Sequence, residues 1–271
     1  MKRARPSSSL SKREQKPATN KNLENPLRSH TLCTIKIMKS LLVILLFTIV
    51  FSLGSQQASA SDHVILAGGP ALRKWENLRV EKDRHDRWWA NFIHASTMRM
   101  DNIRASYGPS AKLIWLVHKA GYIARASEDG KPYTEWIAGQ ATKRGAKLIW
   151  VDSGASVIRA INSRPAKSIT TFDFFGHSNK YCFLLDYSSD IIGVSTAWLH
   201  EKDLYKIKSS VFSSNAICKS WGCHSGESMN YFWRAATGKE IIGARGKTDY
   251  TSLSKGKMPA INGSWVYRAP R

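Results

Sequence analysis

From residue 61 onward, short and nearly continuous apolar runs alternate with segments in which apolar residues recur every three to four positions. The run HVILAGG at 63–69 reads as a strand, and from about Asp86 the residues Trp89, Phe92, Ile93, Met100 and Ile103 recur at helical spacing. Gly108 and Pro109 stop that helix. KLIWLVH at 112–118 is a second strand, 133–143 a helix, and KLIWVDS, ending at Asp152 and Ser153, a third strand. A short helix over 155–162 precedes SITTFDFFGHS, a strand that ends at His177. YCFLLDY at 181–187 reads as a hairpin arm and 197–207 as a further helix. NAICKSWG supplies the next strand, 227–236 a helix with Met229, Phe232 and Trp233 on one face, and KEIIGARG the last strand. The tail after Ser252 reads as irregular.

Strands that alternate with helices and are apolar throughout, rather than at every second residue, fit a sheet buried on both faces. The expected fold class is therefore α/β, a three-layer α/β/α sandwich with a mainly parallel central sheet, formed by residues 61–271 as a single domain.

The first 60 residues read differently. LLVILLFTIVFSL at 41–53 follows Lys36 and Lys39 and precedes small residues at Ala58 and Ala60. A basic start, a short apolar core and an A-x-A site make a secretory signal peptide over 38–60. Met38 is where such a peptide begins, so 1–37 reads as a non-structural upstream extension, rich in Ser, Lys, Asn and Pro. The expected location is outside the cytoplasm: periplasm, cell surface or medium. Residues 61–271 keep 31 of the 41 basic and 18 of the 20 acidic residues, a net charge of +13. That charge favours anionic partners or surfaces. The basic residues are scattered and no nucleic-acid motif accompanies them, so nucleic acid is not an expected partner.

Beyond the leader, Cys182, Cys218 and Cys223 remain, an odd number that leaves a thiol unpaired. Along one extended segment Cys218 and Cys223 would lie ~16 Å apart, too far for a disulfide. Cys182 could pair with either only if its strand lay alongside. Cys218 sits inside an apolar run and reads as a buried small hydrophobe. His177 and Cys223 end consecutive long strands, and ligands of parallel sheets bind beyond the strands' carboxyl ends. An imidazole beside a thiol is what nucleophilic acyl transfer needs, since a base must take the thiol proton and later protonate the leaving amine. A helix starting at 227 would add unpaired N–H groups near Cys223, favouring a thiolate and an oxyanion.

A strand ending in His and a small residue, and a later strand ending in Cys before a helix, resemble the caspase-like superfamily of cysteine peptidases, which includes caspases, gingipains, clostripain, legumain and self-processing toxin domains. FFGHS is similar to its His-Gly block and KSWGCHSGE to its Cys block, in the GC form of the bacterial branches; TGKEIIGARG fits the strand that follows. The resemblance implies an exported endopeptidase with Cys223 as nucleophile, His177 as general base and the backbone N–H groups of Ser178 and Cys223 as oxyanion hole. Ser178 stands where that superfamily has Gly, and a side chain there would crowd a substrate backbone. Members choose a charged or amide side chain beside the scissile bond; Asp152, Asp173 and Glu227 are candidates to line such a pocket.

Competing readings stay open. Cys223 could be a buried free thiol, and a catalytically inactive domain of the same fold could bind an anionic envelope component or a protein partner. Cys218, Cys223, His224 and His177 offer soft metal ligands, but the five-residue spacing does not converge as a C-x-x-C knuckle does, so no metal is expected. ILAGGP lacks the G-x-G-x-x-G of a dinucleotide site, and no cofactor is expected.

Overall fold

The computed structural model describes residues 61–81 and 84–267. The extension and signal peptide read at 1–60 lie outside the described residues. Seven strands form one sheet in the order β10-β9-β8-β4-β1-β2-β3. They are β1 (Asp62–Ala67), β2 (Lys112–His118), β3 (Lys147–Val151), β4 (Ile169–Phe175), β8 (Phe212–Ser220), β9 (Ile241–Asp249) and β10 (Ala260–Val266). All neighbouring pairs are parallel except β9 with β10. A small antiparallel sheet joins β5 (His177–Ser178), β6 (Cys182–Asp186) and β7 (Ala197–His200).

Alternation along the central strands β1, β2 and β4, buried almost throughout, explains why both faces of the sheet are covered there. Val64 and Leu66 of β1, with Ile114, Leu116, Phe172 and Phe174, pack under α5 (Gly154–Asn162), α6 (Met229–Thr237) and the small sheet. Ile65 and Ala67, with Leu113, Trp115 and Val117, face α2 (Asn91–Tyr107), α3 (Lys119–Asp129) and α4 (Tyr133–Lys143). A short α1 (Arg73–Leu78) follows β1. The architecture is thus the three-layer α/β/α sandwich that the apolar runs imply. The chain winds from β1 through β2 to β3 on one side and from β4 through β8 to β9 on the other, so the direction reverses between β1 and β4. That reversal opens a crevice at their carboxyl ends.

Several elements differ from the sequence reading. Residues 197–207 are not one helix: Ala197–His200 pair with β6, and a 3-10 helix, Glu201–Lys206, follows under a His200 side-chain cap. The tail is not irregular, because β10 pairs with β9 along its whole length. Asn262, Gly263 and Ser264 interrupt its apolar pattern and hide it. Helix α3 escaped notice because its buried residues are Gly121, Tyr122 and the charged Arg125, which make no apolar stripe. The helix expected from Asp86 begins at Asn91, since the chain before it folds Asp86 inward as a buried acceptor.

Candidate active site

His177 is separated from β4 only by Gly176 and opens β5, which puts it at the carboxyl end of β4 beside the crevice between β1 and β4. Its ring is held from several directions. Phe92 meets it edge-on at a centroid distance of 5.2 Å, and Tyr187 lies against it at 4.5 Å. The Nε2 atom is 2.6 Å from Oδ2 of Asp86, which is fully buried. With the carboxylate accepting from Nε2–H, the Nδ1 atom is left as the basic nitrogen. His177 remains 16% exposed at its side chain, so the imidazole is oriented from within yet reachable from without.

Asp86 is itself secured. Its Oδ2 accepts the Ala71 N–H at 2.7 Å, its N–H donates to Glu76 at 2.8 Å, and the buried Arg125 guanidinium donates to the Ala71 and Asp86 carbonyls at 2.8 and 2.9 Å. Burial alone would raise the Asp86 pKa, but the His177 ring, the Ala71 N–H and Arg125 hold it below its ordinary value. Glu76 moves the other way: its burial, and then the Asp86 charge, push it up. The carboxylate behind His177 therefore stays ionised, as an orienting partner of an imidazole must.

Cys223 is carried by the turn after β8. β8 and β9 pair only at Cys218 with Ile241 and Lys219 with Ile242, and β9 then runs on past the sheet's rim. The turn takes over as its neighbour: His224 N–H donates to Gly246 O and Gly226 N–H to Ala244 O, both at 2.8 Å. Gly226 and Gly243 meet backbone to backbone, where an added Cβ on either would come within 2.7 Å of the other strand. This seating brings the sulfur to Thr248, whose N–H donates to Sγ at 3.3 Å and whose hydroxyl lies at 3.3 Å. Among the described residues, the thiol's hydrogen-bond partners are both on Thr248 and none is on His177.

The histidine and cysteine blocks are nonetheless joined. The Ser178 hydroxyl donates to the Cys223 carbonyl, and Gly222 lies so close that a Cβ there would sit 2.3 Å from Ser178 Oγ. The Ser178 side chain is therefore turned onto the Cys223 peptide. Asn179 N–H bonds Cys182 O, so by the alternation of an antiparallel ladder the Ser178 N–H points away from β6. Tyr250 completes the floor: it meets Phe92 edge-on at 5.1 Å and its hydroxyl donates to Trp221 O at 3.0 Å. Burial, and then the nearby Cys223 sulfur, push its pKa up. A cleft of about 610 Å³ opens beside Thr248, lined by Arg84, Trp88, Lys247, Asp249 and Tyr250 among others.

The remaining sequence candidates fall elsewhere. Asp173 is buried within β4, paired with Arg99 at 2.8 Å and accepting Trp221 Nε1–H at 3.0 Å, and it does not line the cleft beside Thr248. Asp152 belongs to the Ser153 cap of α5, and Glu227 is bonded to His224 at 2.7 Å on the thiol turn; neither lines the cleft beside Thr248. Cys218 is buried in the sheet, where desolvation pushes its thiol up to about 12. Cys182, Cys218 and Cys223 are all free. Helix α6 begins at Met229, six residues past Cys223, and its first N–H is taken by Lys180 O. The expected help from a helix N-terminus is therefore replaced by the Thr248 amide. No group of three or more His, Cys, Asp or Glu among the described residues is placed to hold a metal ion.

Asp86, Thr248, Tyr250, Phe92 and Tyr187 are the site residues that sequence reasoning missed. Asp86 lies in the charged stretch KDRHDRWW, which carries no signal of a buried acceptor. Comparison of the chain with family models, with curated proteins and with solved structures finds no match in any of the three.

Proposed function

We propose that the protein is an exported cysteine endopeptidase of caspase-like type, working through an acyl-enzyme on Cys223. One observation carries the reading: an imidazole backed by a buried carboxylate and a thiol backed by an amide end adjacent parallel strands beside the crevice, with Ser178 bonded to the Cys223 peptide. In the proposed reaction His177 Nδ1 takes the Sγ proton and the sulfur adds to the scissile carbonyl carbon. The C–N bond then breaks, the amine leaves with the proton from His177, and a thioester remains. Water, deprotonated by His177, hydrolyses the thioester to a carboxylate and the free thiol. The N–H groups of Ser178 and Cys223 are assigned to the developing oxyanion. The cleft beside Thr248, polar and charged, is assigned to the side chain next to the scissile bond. The sulfur must turn from Thr248 toward the ring, a tightening that substrate-free sites commonly need.

A peptide probe with a thiol-directed warhead tests this. Capture of the wild type, but of neither Cys223→Ala nor His177→Ala, is expected; labelling indifferent to both changes overturns it. The competing reading, a non-catalytic domain binding an anionic envelope component or protein, draws on the thiol's two bonds to Thr248. It requires salt-sensitive binding that survives Cys223→Ala.

A further inference from the structure

The thiol turn is not part of a helix or strand, yet it must hold a sulfur in register with one amide of β9. His224 and Glu227 lie on either side of that problem. His224 adopts a left-handed backbone, φ 58°, one of two such non-glycine residues among those described. This region costs most side chains free energy and persists where the surroundings enforce it. Here it lets the His224 N–H reach Gly246 O at 2.8 Å while the ring turns back, placing Nδ1 2.7 Å from Glu227 Oε1. The same Oε1 accepts the Gly246 N–H at 3.1 Å. Both backbone polar groups of Gly246 are therefore held by this pair, and Gly246 lies two positions before Thr248 on the same strand. Side chains and amides two apart on a strand share one side, so fixing Gly246 fixes Thr248.

We propose that His224 and Glu227 are positioning residues for Cys223, which lock the thiol turn onto β9 at Gly246 and so keep the Thr248 amide on the sulfur. A one-step slip of the turn along β9 would face the sulfur with the opposite edge of the strand. The inference concerns the same thiol as the proposed peptidase reading, but it is tested without turnover.

The test is amide hydrogen exchange of Thr248 and Gly246, followed by NMR on the full chain. His224→Gly keeps the left-handed backbone and removes the ring, and Glu227→Ala removes the shared acceptor. In both, exchange at these two amides is expected to quicken about tenfold, the worth of about one lost hydrogen bond, with exchange in β1 and β4 unchanged. His224→Asn tolerates the same backbone and offers a donor to Glu227, and Glu227→Gln keeps the acceptor, so both are expected to restore protection. Unchanged exchange at Thr248 in His224→Gly and Glu227→Ala overturns the proposal. So does a loss that the Asn and Gln variants fail to rescue, or one that spreads equally through β1 and β4.

Discussion

Oδ2 of Asp86 and Nε2 of His177, 91 positions apart in the chain, meet at 2.6 Å at the point where the sheet's winding reverses. The carboxylate is buried and ionised, so the ring it faces has one fixed orientation and one basic nitrogen. Asp86→Asn preserves shape but removes the charge that selects this tautomer. Acylation of Cys223 by a peptide probe is expected to slow by about 10²- to 10⁴-fold, with the melting temperature changed far less. An acylation rate equal to wild type would remove Asp86 from the machinery.

Ser178 and Gly222 form a second coupled pair. A methyl at Gly222 would overlap the Ser178 hydroxyl, so Gly222→Ala alone is expected to destabilise by about 1–3 kcal/mol. In the Ser178→Gly background the overlap disappears, and the same change should cost well under half as much. A double-mutant cycle by denaturant unfolding reads the coupling directly. Additive costs would mean that the two residues do not meet.

Gly226 and Gly243 carry the contact between turn and strand. Because the atoms in the way are backbone on both sides, neither Gly226→Ala nor Gly243→Ala can be relieved by a rotamer change. Each is expected to cost about 1–3 kcal/mol and to raise the accessibility of the Cys223 thiol to a small disulfide reagent. Titration of thiol release in the folded variants checks the second part.

His63 gives the stability a pH dependence separate from the site. It is buried between Ser61 and Thr171, at 2.9 and 3.0 Å, and burial, followed by the charge of Arg99, takes its pKa from 6.5 down to about 4. Between these values the unfolded chain binds a proton that the folded chain refuses. Its contribution is therefore full above about pH 6.5 and is lost as the pH falls toward 4, by up to about 3 kcal/mol. His63→Gln should flatten this part of the acid limb in thermal melts between about pH 7 and 4. An acid limb identical to wild type would show that His63 is not its source.

Much of the fold could be read from the chain because its strands announce themselves. KLIWLVH occupies the residues of β2, and the helical spacing of YTEWIAGQATK over 133–143 coincides with α4, since in both the apolar pattern alone decides burial. The His177 block follows a strand that is buried almost throughout, whereas the Cys223 block follows β8, in which only Phe212, Cys218 and Ser220 are buried, so its apolar run overstated that strand's burial. Asp86 and Thr248 were not legible. One sits in a polar loop that looks solvated, and the other is a Thr in mid-strand whose importance comes from a turn 25 positions earlier. Their roles arise from long-range contacts that no local period encodes. The missed β10 has a related cause, since its pairing with β9 is set by tertiary contact and not by apolar alternation.

The order of elements along the chain has a further outcome. The amide that meets the Cys223 sulfur lies 25 positions after it, on β9, and β10 pairs with that strand along its whole length. A chain cut short after β8 would keep the residues of the Asp86–His177 contact but would have no amide for Sγ, so the seat of this thiol belongs to the C-terminal hairpin.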